Sequence, residues 1–230
     1  DFYQFPPLFF WMQATTFRLF GVSDFTAKSV SAFFGVAVII LTYCLGTLIA
    51  SSYVGFYSSL AVLFMPYFFR HSRKCEMEST FVFFIGLAFL FFILAQRNDE
   101  RMYLPAGIAT ALAMLSKGPP AYATYGALFF YLILTGQSAV LKNKWFISGF
   151  LLSISIPLLW IVPQIIFKGD AFYRKYVLGQ IWWSIVGRPA EMLNSPMAQS
   201  TAIISPWRKF LSYFYFFGAF FTYYLPWSVV

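Results

Sequence analysis

Two long uncharged stretches limit the folds that this chain can adopt. Residues 29–69 contain no charged side chain, and residues 79–96 form a second uncharged run that is dense in phenylalanine. About 20 apolar residues suffice for a helix to cross the ~30 Å hydrocarbon core of a bilayer. Because lipid offers the backbone no hydrogen bonds, chains of this kind form helices or closed barrels. Runs of this length favour helices.

The composition supports the same interpretation. Only 10% of the residues are charged and 60% are hydrophobic, with a mean hydropathy of +0.70. In a soluble domain about a quarter of the residues are charged. We therefore predict an all-α polytopic protein that is integral to a membrane.

Breaks between the apolar runs divide the chain into about seven expected spans. The predicted spans are residues 25–50, 53–69, 79–95, 102–116, a fifth ending near 134, 145–167, and a seventh from near 210 to the end. The fourth is rich in small residues, which permit close packing of helices. Pro157 and Pro163 predict kinks in the sixth.

Two further segments are too short or too polar to cross a bilayer. Residues 8–20 mix apolar side chains with Gln13 and Arg18, and residues 171–186 mix aromatic and basic side chains. Both have the pattern of amphipathic helices that lie along the membrane surface. The first belongs to a lead-in, residues 1–24, and the second to a loop, residues 168–209, and alternation places both on the same face of the membrane.

The stretch between the two long apolar runs, residues 70–80, concentrates most of the local charge. It contains Arg70, His71, Arg73 and Lys74 together with the carboxylates of Glu76 and Glu78. One interpretation is a short turn whose basic residues contact lipid headgroups. The other is a polar site that acts on an anionic substrate, because ionisable groups at a membrane boundary are costly to desolvate.

The net charge of +8 has a membrane explanation. The basic residues fall in loops between apolar runs, so anionic lipid or a phosphorylated substrate is the expected partner, and nucleic acid is not. Most of the sixteen basic residues lie in loops that alternation assigns to one face. Counted by the positive-inside rule alone, that face would be cytoplasmic.

The chain begins at Asp1 without an initiator methionine and stops inside an apolar run. We therefore expect it to be an excerpt of a longer protein, forming part of a single transmembrane domain over residues 1–230. Catalytic groups can then lie outside it.

Four short motifs resemble, in order, those of a known family. They are Pro6-Pro7 followed by Leu8 and Trp11, Ser72-Arg73 with Glu78, Lys117-Gly118-Pro119, and Pro226-Trp227-Ser228. Together they resemble the GT-C class of polyprenyl-phosphate-sugar glycosyltransferases, the group of lipid A aminoarabinose transferases and protein O-mannosyltransferase relatives. The resemblance spans almost the whole chain.

The resemblance implies a function and an orientation. Enzymes of this group take a sugar from a lipid-phosphate carrier on the periplasmic or lumenal face. It implies that the basic face is non-cytoplasmic, in the periplasm of a bacterial inner membrane, contrary to the charge count. The implied partners are a polyprenyl-phosphate-linked sugar donor, membrane lipids and an acceptor that is a lipid A, a protein hydroxyl or another glycan.

The resemblance also assigns roles to particular residues. Lys117, between a small-residue helix and a Gly-Pro-Pro break, is the first candidate for the cation facing the carrier phosphate. Arg73, Lys74 and Arg208 are further phosphate-binding candidates. Glu78 matches an acidic position and is the catalytic candidate, orienting the acceptor sugar or tuning Arg73. The competing interpretations are a lysine snorkelling from a helix end and a surface ion pair.

The chain departs from the family pattern at two positions. Gln4 and Phe5 stand where the family usually has a carboxylate and a lysine before the two prolines. The family's catalytic acidic residue would precede Asp1, and the only histidine, His71, is not where some members place a metal ligand. We therefore predict no metal and no cofactor bound by the residues present.

Two alternatives to an active enzyme stay open. The substitutions at positions 4 and 5 are compatible with a catalytically inactive GT-C homologue. A transporter, channel or lipid-binding protein is the other, although transporters place polar residues and broken helices near the bilayer midplane. Here the charges lie near the ends of the predicted spans.

Overall fold

The computed structural model describes residues 5–172 and Tyr176, and within these residues the regular structure is entirely helical. The α-helices are α1 Leu8–Phe20, α2 Asp24–Ile49, α3 Ser52–Leu63, α4 Pro66–Ser72, α5 Glu78–Arg97, α6 Tyr103–Lys117, α7 Ala123–Leu134 and α8 Lys144–Lys168. Short 3₁₀ turns precede α6, α7 and α8, and a helical turn, Asp170–Phe172, follows α8. The all-α prediction is confirmed for this part of the chain.

Polar residues in the loops determine where several helices begin. Ser23 caps α2: its hydroxyl accepts the Thr26 backbone N–H at 3.2 Å, and the Thr26 hydroxyl accepts the Ser23 N–H at 2.9 Å. This reciprocal arrangement satisfies two backbone donors that a helix start otherwise leaves unpaired. Ser51 and Asn143 cap α3 and α8 through single side-chain bonds. Short polar loops between apolar runs thus define these boundaries.

The predicted number of spans is wrong. Among the described residues three helices, α2, α5 and α8, are long and apolar enough to cross a membrane, or four if α3 and α4 form one bent span. The expected fourth and fifth spans are α6, with 15 residues, and α7, with 12. Helices of that length reach about 22 Å and 18 Å, short of the ~30 Å core. The expected seventh span lies outside the described residues.

The expected second span, residues 53–69, is broken. Helix α3 ends at Leu63 and α4 begins at Pro66, and the two axes are bent by 67°. A proline disfavours helical geometry in the residue before it, and Met65 is extended, with φ −73° and ψ 114°. The apolar pattern is continuous through this point, so only the proline signalled the break.

Helix α6 lies at the centre of the described bundle. It packs against α5 and α8, and Ala106, Ala109, Ala111 and Ala113 on it are buried. A Cβ built on Gly107 would lie 2.0 Å from the Gly149 carbonyl oxygen of α8. The small residues of this segment therefore let two backbones approach closely, as the sequence predicts.

The outer surfaces of the long helices are apolar. Phe33, Val36 and Ile40 on α2 are exposed, as are Leu159 and Ile166 on α8. Exposed apolar surface on this scale marks contact with a membrane or another protein. Together with the three candidate spans, it identifies an integral membrane protein.

The loops gather at two ends of the bundle. Glu78 contacts Lys117 at one end. At the other, the Gln96 side-chain amide donates to the Gln137 amide oxygen at 2.9 Å. The loop before Glu78 and the loop after Lys117 therefore lie at the same end of the bundle, while the side of the membrane that they face stays a prediction.

Helix α1 has the predicted bounds, Leu8–Phe20. Its position along the membrane surface stays a prediction, as do the kinks at the two prolines inside α8. The expected surface helix 171–186 and the last motif fall beyond the described residues, apart from the final helical turn and Tyr176.

Candidate functional site

The site is built around an ion pair between two helix ends. Lys117 is the last residue of α6 and Glu78 the first residue of α5, and the Lys117 Nζ donates to Glu78 Oε1 at 3.0 Å. The two side chains are 35% and 34% exposed. The ammonium also lies 5.7 Å from the centre of the Phe81 ring. The pair is therefore half-buried, with one face open.

Helix geometry explains why the two charges meet. Helices α5 and α6 pack side by side, and the start of α5 lies next to the end of α6. A carboxylate is favourable at a helix N-terminus and a cation at a C-terminus. Gly118, with φ 100°, then ends α6 in a conformation that favours glycine. Each charge thus complements its own helix as well as its partner.

Helix α2 fixes the loop that leads into Glu78. The buried Ser31 hydroxyl donates to the Glu76 carbonyl oxygen at 2.7 Å and accepts the Glu76 N–H at 3.2 Å. One turn further along α2, a Cβ on Gly35 would lie 2.7 Å from the Cβ of Ser72. The Ser79 hydroxyl donates to the Ser72 hydroxyl at 3.2 Å. These contacts hold both ends of the loop against α2.

Glu76 is paired with two side chains of its own neighbourhood in the chain. Its carboxylate contacts His71 Nδ1 and lies 3.5 Å from the Lys74 Nζ. Partial burial raises the pKa of Glu76, but the hydrogen bond and charge of His71 and the charge of Lys74 together lower it by more. The pKa of Glu76 therefore lies below its ordinary value. His71 also packs on Tyr67, with ring centres 4.2 Å apart. Lys74 is therefore partly neutralised.

Arg73 packs on α4 and faces a cavity beside α2. Its guanidinium lies 5.1 Å from the centre of the Phe69 ring, and it lines a cavity of about 450 Å³ with Lys28, Ser29 and Asp24. The Lys28 ammonium pairs with Asp24 at 2.6 Å. Glu78 forms its ion pair with Lys117, so the tuning of Arg73 by Glu78 stays a prediction.

The structure therefore brings together two of the five predicted site residues, Glu78 and Lys117. Lys74 and Arg73 lie on the adjoining loop with other partners, and Arg208 lies outside the described residues. Ser31 and Gly35 were missed. Their spacing, two small residues four apart inside a charge-free run, is the sequence pattern of close helix contact and was the available signal.

Metal ligands are not clustered in the described part of the chain: no group of three His, Cys, Asp or Glu side chains there is arranged to hold an ion. Polar groups that a substrate could meet are instead the ammonium of Lys117, the carboxylate of Glu78 and the guanidinium of Arg73.

An all-helical integral membrane protein with a half-buried ion pair at one end of its bundle is the class that this fold and site define. The sequence pattern of the dolichyl-phosphate-mannose-protein mannosyltransferase family matches residues 4–166. The chain belongs to this family, a GT-C family of membrane glycosyltransferases.

Relatives with similar sequences are two uncharacterized proteins of Aquifex aeolicus. They are 29% and 28% identical over 175 and 173 residues, in each case 75% of this chain. The chain spans 35% and 39% of their lengths. It therefore corresponds to little more than a third of these relatives.

The fold is similar to that of ArnT from Cupriavidus metallidurans. The crystal structure of that protein bound to undecaprenyl phosphate matches 80% of this chain and 35% of its own, with a TM-score of 0.72 and 17% identity. Its apo structure matches 79% of this chain and 35% of its own, with a TM-score of 0.71 and 17% identity. At this identity the likeness concerns the fold.

Proposed function

We propose that this chain forms part of an enzyme that transfers a sugar from a polyprenyl-phosphate carrier to an acceptor on the non-cytoplasmic face of a membrane. The observation that carries the proposal is the Lys117–Glu78 pair at 3.0 Å, half-buried at one end of an apolar bundle. Membership of a GT-C family supports it. So does the likeness of fold to a protein whose crystal structure holds undecaprenyl phosphate.

Lys117 is the residue that would meet the carrier phosphate. Transfer breaks the bond between the sugar and the phosphate, and negative charge grows on the phosphate oxygen as it leaves. A cation fixed in position stabilises that charge best where water is partly excluded. The ammonium has three N–H donors, of which Glu78 takes one in the described geometry. The others are available to a phosphate on the open face.

Glu78 would keep Lys117 in place and face the sugar or the acceptor. A carboxylate is an acceptor for sugar hydroxyls, and when suitably placed it can take the proton of the attacking hydroxyl. The backbone that leads into Glu78 is fixed, because Ser31 bonds to Glu76, two residues before it. The position of Glu78 therefore does not depend on bound substrate.

Arg73 and Lys74 are second-rank phosphate ligands in this proposal. Arg73 has a planar guanidinium that suits bidentate phosphate binding, and it opens onto the 450 Å³ cavity beside α2. Lys74 shares its charge with Glu76. Arg208 is proposed on the resemblance alone.

The proposal places the site in the periplasm of a bacterial inner membrane and leaves the acceptor class open between lipid A, protein hydroxyls and glycans. The test uses the full-length protein in detergent with synthetic undecaprenyl-phosphate sugars, among them an aminopentose and mannose. Release of undecaprenyl phosphate is measured with and without candidate acceptors. Acceptor-dependent release is the expected result, and we expect Glu78→Gln to reduce it with little effect on carrier binding.

Failure has two distinguishable forms. Carrier binding without turnover of any donor would overturn the proposal in favour of an inactive homologue. Absence of carrier binding by folded protein would favour a non-enzymatic membrane protein.

A further inference from the structure

A second cavity lies at the end of the bundle opposite the Lys117–Glu78 pair. It has a volume of about 320 Å³ and lies between α5, α7 and the end of α2. Its walls are apolar and aromatic, formed by side chains that include Phe89, Phe92, Leu128 and Tyr131. Such a volume is at the small end of the range for ligand pockets, about 300–1,000 Å³.

The one charged side chain among the described residues that line the cavity is Arg97, which lies with Gln96 at its mouth, in the last turn of α5. The remaining polar group of the lining is the hydroxyl of Tyr131 on α7. One guanidinium N–H of Arg97 donates to the Leu48 carbonyl oxygen at the end of α2, which fixes the group beside the opening. The nearby carboxylate of Asp99 accepts the backbone N–H of Arg101 at 2.9 Å. In the described part of the chain no ion pair joins Arg97 to a carboxylate.

We propose that this cavity binds one acyl chain of an anionic phospholipid whose headgroup phosphate contacts Arg97. The charge at the mouth selects the headgroup, because a guanidinium binds phosphate through paired N–H donors. The apolar lining suits the acyl chain, because methylene groups need no hydrogen bonds. Basic pockets between transmembrane helices are recurrent sites for anionic lipid headgroups.

The depth of the cavity agrees with this occupant. Its lining runs from Arg97 back to Phe89 along α5, a distance of about 12 Å at the rise of an α-helix. The hydrocarbon layer of one leaflet is about 15 Å thick. The cavity therefore takes the part of an acyl chain next to the headgroup, with the phosphate at the level of the helix end.

The test measures lipid retention by the full-length protein. The protein is purified from vesicles of equal phosphatidylglycerol and phosphatidylcholine, and bound lipid is counted by native mass spectrometry. We expect retained phosphatidylglycerol to exceed phosphatidylcholine, and Arg97→Gln to lower this preference about tenfold, the effect of losing a charge-assisted contact. Lys142→Gln removes the same charge at the same end of the bundle, outside the cavity lining, and should change it less than twofold.

A second pair of variants tests whether the acyl chain lies in the cavity. Ala127 lines the cavity, so Ala127→Phe should expel the lipid. At the neighbouring Gly126 a Cβ would meet nothing within 4 Å, and Gly126→Phe should leave retention unchanged.

Three results would overturn the proposal. Equal losses in Arg97→Gln and Lys142→Gln would mean general surface attraction. If Ala127→Phe leaves lipid retention unchanged, the acyl chain does not lie in this cavity. No preference in the wild-type protein would mean that another segment of the full-length protein fills the cavity.

Discussion

Replacing Lys117 by methionine separates a catalytic lysine from a structural one. Methionine keeps an unbranched side chain over Phe81, which the ammonium approaches to 5.7 Å, and removes only the charge. The side chains of the ion pair are 35% and 34% exposed, so water screens it. An exposed pair contributes about 0–1 kcal/mol to the free energy of unfolding. We therefore expect a loss of stability no greater than about 1 kcal/mol.

The expected effect on catalysis is much larger. Removing one preorganised contact to a charge that develops in the transition state costs about 10²–10³ in rate, or about 2.7–4 kcal/mol. A role confined to stability would account for at most about a fivefold change, since 1.4 kcal/mol corresponds to a factor of ten. The two explanations thus differ by more than an order of magnitude in one measurement.

The assay is single-turnover transfer from an undecaprenyl-phosphate sugar in detergent, with variant and wild type at matched amounts of folded full-length protein. Single-turnover kinetics separate chemistry from carrier binding and product release. Lys144→Met is the matched control. Its ammonium lies 5.3 Å from the Trp145 ring centre at the opposite end of the bundle, so it loses the same charge above an aromatic ring without approaching the site.

The catalytic role of Lys117 is refuted if Lys117→Met transfers sugar within about fivefold of the wild-type rate. Lys117 would then be an anchor at a helix end, and the phosphate-binding cation would lie elsewhere. Equal losses in Lys117→Met and Lys144→Met would also refute it, because a general loss of folded protein would explain both.

Two further predictions concern packing and orientation. Gly107→Ala should destabilise the bundle by about 1–3 kcal/mol, the usual cost of overpacking, because its Cβ would lie 2.0 Å from the α8 backbone; Gly126→Ala is the control for thermal unfolding, and equal stabilities would contradict the close contact. For orientation, the exposed Cys75 should react with an impermeant maleimide from the periplasmic side in a Cys44→Ser background. Labelling that requires opening of the cytoplasmic side would reverse the assignment.

The apolar pattern determined the helical class and several boundaries. A run of side chains without charge can satisfy its backbone in lipid only within a helix, and polar caps such as Ser23 mark where the helices begin. The pattern therefore predicted α1 to the residue and the ends of α5 to within two residues. It did not give the right number of membrane-spanning helices. Hydropathy does not report the bend at Pro66, and the expected fourth span was counted although its 15 residues, like those of α6, are too few to cross the bilayer.

The partners of the charged residues were decided by the tertiary structure. Glu78 and Lys117 are 39 residues apart, and they meet because α5 and α6 pack side by side. The sequence marked both as site candidates, but the order of charged residues along the chain does not say which cation forms an ion pair with which carboxylate. Glu76 pairs with His71 and Lys74, and Arg73 lines the cavity beside α2. Electrostatic pairing depends on distances of a few ångströms, and those distances are set by helix packing, through contacts such as Ser31 with Glu76, between residues far apart in the chain.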